Sequence, residues 1–68
     1  MAGRFYNKQQ WRRLRRQQLQ RQPLCVLCEE LGDLVPASQV DHVRAISDGG
    51  APADLNNLRS LCASCHTA

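Results

Sequence analysis

Cys25-Val-Leu-Cys28 and Cys62-Ala-Ser-Cys65 are two pairs of thiols, each pair two residues apart, and together they supply the four sulfur ligands of a closed tetrahedral zinc site. His66 follows directly and finds no vacancy there, so its imidazole must point elsewhere. Asp41 and His42 stand at the end of an apolar stretch, and Asn57 lies between Leu55 and Leu58. A carboxylate and an imidazole together make an open site for a hydrolytic divalent ion, with positions left for water and a substrate oxygen. A second histidine close by could take a proton from that water. These are the parts that hydrolysis of a phosphodiester needs. Each residue alone also has a plainer role: a hydrogen-bonded Asp-His pair on the surface, a turn or cap asparagine, and a helix-terminal histidine bonded to a thiolate.

The elements that must position these groups have little apolar material to work with. At 68 residues there is room for one domain, and burial alone is a poor source of stability at that length. No signal peptide or membrane-spanning apolar run is evident, so a reducing cytoplasm is expected. In that compartment two C-x2-C pairs favour zinc over disulfides or a redox dithiol. Zinc binding to such sites is worth on the order of 10 to 16 kcal/mol, comparable with or above the whole stability of a typical domain.

Charge is unevenly spread. The formal net charge is +3, but Arg4, Lys8, Arg12, Arg13, Arg15, Arg16 and Arg21 all precede the first acid, Glu29. That end is a polycation and suggests a polyanionic partner, most often nucleic acid. From Lys8 to Arg21 there is no Gly, Pro or β-branched residue, which predicts a helix, with residues 1–7 as a mobile terminus from which Phe5 and Tyr6 could fold back. Helical spacing puts Trp11 within the apolar arc of Leu14 and Leu19, and so in the core. Arg15 falls in the same arc, its stem along the core and its head in water. Arg12, Arg13 and Arg16 fall on the outer side or its margin, where a solvated face and a phosphate-binding face are both open readings.

Gln22-Pro23 stops this helix. A first metal knuckle, Leu24 to Cys28, follows, with Leu24 and Leu27 shielding it and Gly32-Asp33 as a turn. Leu34 to Val43 is β-prone, with Val35, Val40 and Val43 as apolar markers and a short strand ending near Asp41-His42. Asp48-Gly49-Gly50 breaks the pattern, Pro52 and Asp54 open a one-turn helix through Leu55 and Leu58, and a last helix starts at Ser64 or Cys65. Neighbouring side chains on a regular strand face opposite ways, so joint action of Asp41 and His42 calls for a twisted or irregular backbone there.

The whole pattern resembles a small phage-type HNH endonuclease of the His-Me finger, or ββα-metal, superfamily. The matching residues are Cys25-x2-Cys28, Val40-Asp41-His42, Gly49-Gly50 and Asn57-Leu58-x2-Leu61-Cys62-x2-Cys65-His66. The resemblance implies a small α+β fold: a ββα-metal domain over residues 23–68, stapled by a structural zinc on Cys25, Cys28, Cys62 and Cys65, and preceded by a basic N-terminal helical segment over residues 1–22. It implies a metal-dependent DNA endonuclease that nicks or cuts with little sequence specificity and leaves 5′-phosphate and 3′-hydroxyl ends. His42 would be the general base, and Asp41 and His66 would hold a catalytic Mg²⁺ or Mn²⁺, with Zn²⁺, Ni²⁺ or Co²⁺ as further candidates. Asn57 would brace the loop that orients the base, although an asparagine enters the metal shell in some relatives. Arg12, Arg13 and Arg16 would meet the phosphates of duplex DNA. No membrane partner is expected, and family context adds phage packaging machinery, the terminase, as a possible associate.

Two features depart from the family pattern. Ala45 stands where many relatives have proline, and only Thr67 and Ala68 follow His66, as expected of a truncated or minimal version. The competing function is a non-catalytic zinc-stabilised module that binds nucleic acid or protein, which four cysteines and a basic helix would satisfy.

Overall fold

Fourteen residues free of glycine, proline and β-branched side chains form the first element, helix α1 (Lys8–Arg21), in a computed structural model that describes residues 8–68. The expectations for Phe5 and Tyr6 lie outside the described residues. The inward stripe of α1 is Trp11, Leu14, Arg15, Gln18 and Leu19, at the i, i+3, i+4, i+7, i+8 spacing of one helical face. Its most buried member is Gln18, at 0% exposure, while Trp11 is only half-buried. The expected core tryptophan is therefore corrected. Trp11 sits near the start of the helix, where its ring covers another ring, that of His42, instead of entering the apolar core.

A buried amide is tolerated only when its hydrogen bonds are met. Gln18 Nε2 donates to Gln22 Oε1 at 2.8 Å and to Ser60 Oγ at 3.2 Å, and its Oε1 accepts from Arg21 Nε at 2.8 Å. Gln22 Oε1 also accepts the backbone N–H of Ser60 at 3.1 Å. The head of Arg15 stays at the surface, where Nη2 also donates to the Ser38 carbonyl at 2.7 Å. Arg21 Nη2 similarly reaches the Leu55 carbonyl. Polar contacts thus fasten α1 to the body.

After Pro23 the chain runs extended. Leu24 bridges Pro36, with Cys25 N–H donating to the Val35 carbonyl at 2.8 Å and Ala37 N–H to the Pro23 carbonyl at 2.8 Å. Helix α2 (Val26–Glu30) turns over the first cysteine pair and closes at Gly32, whose φ of 86° is left-handed and suits a residue without Cβ.

Strand β1 (Gln39–His42) pairs antiparallel with β2 (Leu58–Leu61), in the register Gln39 to Leu61, Val40 to Ser60, Asp41 to Arg59 and His42 to Leu58. The expected one-turn helix is a 3₁₀ turn, Leu55–Asn57, capped by Asp54 Oδ1 accepting from Asn56 N–H at 2.9 Å. Leu58 belongs to β2 instead, a correction of that helix's end. Helix α3 (Ala63–Thr67) follows β2 and begins slightly earlier than expected. Val43, expected as an apolar marker, is 61% exposed because it lies beyond the strand.

One sheet face carries Val40, His42, Leu58 and Ser60 and is covered by α1; the other carries Gln39, Asp41, Arg59 and Leu61. Helix α3 contacts both strands. Among the described residues the buried apolar side chains are Cys25, Val40, Leu58 and Leu61. At roughly 1.5 to 3 kcal/mol per fully buried aliphatic side chain, such a core is weaker than one metal site.

Candidate active site and metal centre

The metal centre is built from two short helices that start at their own ligands: Cys25 precedes α2 and Cys62 precedes α3. The four sulfurs lie within 4.8 Å of one another, with Cys28 Sγ at 3.9 Å from Cys62 Sγ and 3.8 Å from Cys65 Sγ. A tetrahedron with Zn–S bonds of about 2.3 Å has edges of about 3.8 Å, whereas a disulfide would need about 2.05 Å. The thiols are free and spaced for one metal ion.

Their ionisation is shared unequally. Burial works against ionising Cys25, but hydrogen bonds from the backbone at Cys28 and Cys62 and from the thiols of Cys28 and Cys65 outweigh it, lowering the pKa from 9.0 to about 6. Cys28, spent on its hydrogen bond to Cys25 and also desolvated, is pushed up to about 12. Cys65 is raised chiefly by its hydrogen bond with Cys62. The hydrogen bonds of the cluster thus favour the thiolate at Cys25, the form in which a cysteine binds metal.

His42 ends β1 on the face that α1 covers. Its ring stacks on Trp11, with centroids 5.7 Å apart and planes 20° apart, and Nε2 lies 3.0 Å from the Pro52 carbonyl. A carbonyl oxygen can only accept, so this contact puts a proton on Nε2, and in the neutral imidazole the lone pair is then on Nδ1.

The loop that brings Pro52 to His42 is closed by Asn57. Its Oδ1 accepts from Arg44 N–H at 2.8 Å, and its Nδ2 donates to the carbonyls of Arg44 at 3.1 Å and Ala51 at 2.9 Å. The Asn57 carbonyl also accepts from Val43 N–H at 2.8 Å. Gly50 makes a tight approach in the same loop, since a Cβ there would fall 1.9 Å from the Arg44 carbonyl oxygen.

Asp41 lies on the opposite face. Its Oδ1 accepts from His42 N–H at 2.7 Å, and its Oδ2 pairs with Arg59 Nη2 at 3.2 Å. His66, on α3 and exposed, makes no side-chain hydrogen bond or ion pair among the described residues. The ladder pairs Asp41 with Arg59 and His42 with Leu58 without a skipped residue, and strand alternation sets the two side chains on opposite faces. Among the described residues, the four cysteines form the one cluster of three or more metal-ligating side chains, and Asp41, His42 and His66 do not make a second.

Arg12, Arg13 and Arg16 line a shallow groove with Gln9 along the outer side of α1. Sequence reasoning missed the Trp11 ring on His42, the Pro52 carbonyl and the Arg59 partner of Asp41. Only the last had a usable signal, because recognising β2 would have set Arg59 opposite Asp41.

A family model described as HNH endonuclease matches residues 25–68. The crystal structure of deep-sea thermophilic bacteriophage GVE2 HNH endonuclease with manganese ion superposes at a TM-score of 0.79 and 32% identity, covering 97% of this chain and 74% of that one. "DNA annealing helicase and endonuclease ZRANB3" of Mus musculus is 50% identical over 28 residues, 41% of this chain. The Bos taurus protein of the same name matches equally, and the match spans 3% of the length of each of these curated relatives. No helix among the described residues is long and apolar enough to cross a membrane.

Proposed function

The chain belongs to the HNH endonuclease family, and from that membership we propose that it is a metal-dependent DNA endonuclease that hydrolyses phosphodiester bonds with low sequence specificity. The observation that carries the reading is the fixed imidazole of His42. Trp11 holds the ring on one side and the Pro52 carbonyl holds Nε2, so in the neutral imidazole Nδ1 is the nitrogen that can act as base. The base removes a proton from water as the water oxygen bonds to phosphorus, and the bond from phosphorus to the 3′ oxygen breaks with its electron pair leaving on that oxygen. Asn57 contributes at one remove. With both ends of its amide spent on Arg44 and Ala51, it braces the loop whose next residue, Pro52, offers its carbonyl to the base.

A catalytic divalent ion fits the chain's donors on chemical grounds. Asp41 Oδ2 carries only an exchangeable ion pair and the His66 imidazole is uncommitted, giving one hard oxygen and one nitrogen, with further positions for water and phosphate. Such an ion would offset charge on the phosphate as it reacts and on the departing oxygen. Since Asp41 and His42 face opposite ways, the scissile phosphate has to lie across the end of β1 rather than over one face. The cysteine cluster would hold a structural zinc. Duplex DNA would lie along the outer arginines of α1, read through its backbone.

The competing reading, a zinc-stabilised binding module without catalysis, draws on the Asp41–Arg59 pair, which occupies the proposed ion ligand. Plasmid nicking in Mg²⁺ or Mn²⁺ separates the two. His42→Ala should bind DNA and retain zinc while cleaving at least about a hundredfold more slowly; no nicking above background by the wild type would leave the binding module as the answer, and equal measurable rates would remove His42 as the base.

A further inference from the structure

Arg59 is the residue of β2 for which neither the fold nor the proposed chemistry has yet given a reason. It stands directly opposite Asp41 in the ladder, with Nη2 at 3.2 Å from Oδ2. The other carboxylate oxygen, Oδ1, is held by the backbone N–H of His42. Oδ2 is therefore the oxygen through which Asp41 can ligate an ion without giving up its backbone contact, and a guanidinium already occupies it. A divalent cation and a guanidinium cannot both take the same lone pairs at short range without like-charge repulsion.

A second observation concerns the other end of the same side chain. Arg59 Nε is buried and has no hydrogen-bond partner among the described residues. The guanidinium thus rests in a pose that satisfies only part of its donor set, and a buried donor without a partner is costly. A pose engaging a phosphate through the planar fork would use more of its donors.

We infer that Arg59 is a positioning residue of the catalytic-ion site: it occupies Asp41 Oδ2 before metal arrives, yields that oxygen to the ion, and passes its charge to a phosphate of the substrate. The inference rests on the reading of Asp41 as an ion ligand. It makes metal and DNA binding mutually supportive. The ion displaces the guanidinium, and the phosphate relieves the repulsion that displacement creates.

The pair is about one-third exposed, so competition is worth a few-fold in affinity rather than orders of magnitude. The test is Mn²⁺ binding to the zinc-loaded protein, followed by the free-Mn²⁺ electron paramagnetic resonance signal, with and without a noncleavable phosphorothioate duplex. Arg59→Gln should bind Mn²⁺ about threefold to fivefold more tightly than wild type without DNA, and should lose most of the tightening that DNA produces in wild type. Unchanged or weaker Mn²⁺ binding in Arg59→Gln would overturn the inference, since the arginine would then be merely structural or would help Asp41 to ligate.

Should Arg59→Gln fail to fold, the wild-type protein still decides. Its Arg59 Nε–H resonance must shift during a Mg²⁺ titration, and a resonance that stays put while Asp41-dependent binding saturates refutes displacement. Asp41→Asn separates the two layers of argument. If that change leaves Mn²⁺ affinity untouched, the ion site itself has been wrongly assigned, whatever Arg59 does.

Discussion

If α1 meets duplex DNA as proposed, only some of its arginines are uncommitted, and the salt dependence of binding would count them. Arg15 is committed to the Ser38 carbonyl, and Arg21 to Gln18 and the Leu55 carbonyl, so both fasten the helix to the body. Arg12, Arg13 and Arg16 are exposed along the outer groove. Each phosphate neutralised on duplex DNA contributes about −0.9 to the slope of log K against log salt. Replacing these three by alanine should therefore make the slope shallower by about 2.7, and the contribution removed is about a 40-fold loss of affinity between 50 and 200 mM salt. If all five arginines of α1 met phosphates, their contribution would instead be about −4.5, or roughly 500-fold over the same range. Fluorescence anisotropy with a labelled duplex, in the absence of divalent ion, measures the slope. Arg15→Ala and Arg21→Ala should lower the melting temperature and leave the slope alone. A triple variant with the wild-type slope would refute the assignment, and so would a slope change in Arg15→Ala comparable to that of an outer arginine.

Three other outcomes follow from the geometry. Gly50→Ala places a Cβ 1.9 Å from the Arg44 carbonyl oxygen, so the loop must shift and carry the Pro52 carbonyl with it; nicking should fall more than about tenfold at unchanged DNA affinity. Gln18→Ala strands Ser60 and part of Gln22 in the interior and should cost about 1 to 3 kcal/mol, read as a lowered denaturant midpoint. Acid should release zinc and unfold the chain together. The pKa of Cys25 is lowered from 9.0 to about 6, so its thiolate contributes stability that is complete above pH 9 and lost as pH falls through about 6. Cys28, raised to about 12, acts in the opposite sense and only in alkali, leaving the acid limb to Cys25. Excess Zn²⁺ should move the acid midpoint lower, as circular dichroism with a zinc-sensitive dye would show.

The first helix was legible from local composition alone, and its bounds, Lys8–Arg21, are those of the structure. The cysteine cluster was legible because ligand spacing is a short-range signal repeated twice. What escaped was long-range. Strand β2 is four residues, Leu-Arg-Ser-Leu, too short for periodicity to separate it from a helical turn, and it exists because β1 offers it a partner. Gln18 is polar by type yet fully buried, because its partners Gln22 and Ser60 come from the helix's end and from that unseen strand. Trp11 was correctly set on the inward stripe, but the ring it meets belongs to His42, and no local pattern carries that information.

The cysteine cluster is mechanically tied to one of the proposed catalytic groups, His66, and not to the other, His42. Helix α3 has five residues, far below the length at which a helix holds itself together in water, and it starts at one thiol ligand and contains another. His66 adjoins Cys65, so an ion bound by the four thiols would fix the segment that carries the proposed second imidazole. His42, in contrast, is placed by β1, α1 and the Asn57 loop, none of which includes a cysteine. The two halves of the site therefore depend on different forces, metal coordination for His66 and hydrogen-bonded packing for His42. Partial loss of zinc should loosen binding of the catalytic ion before it disturbs the base.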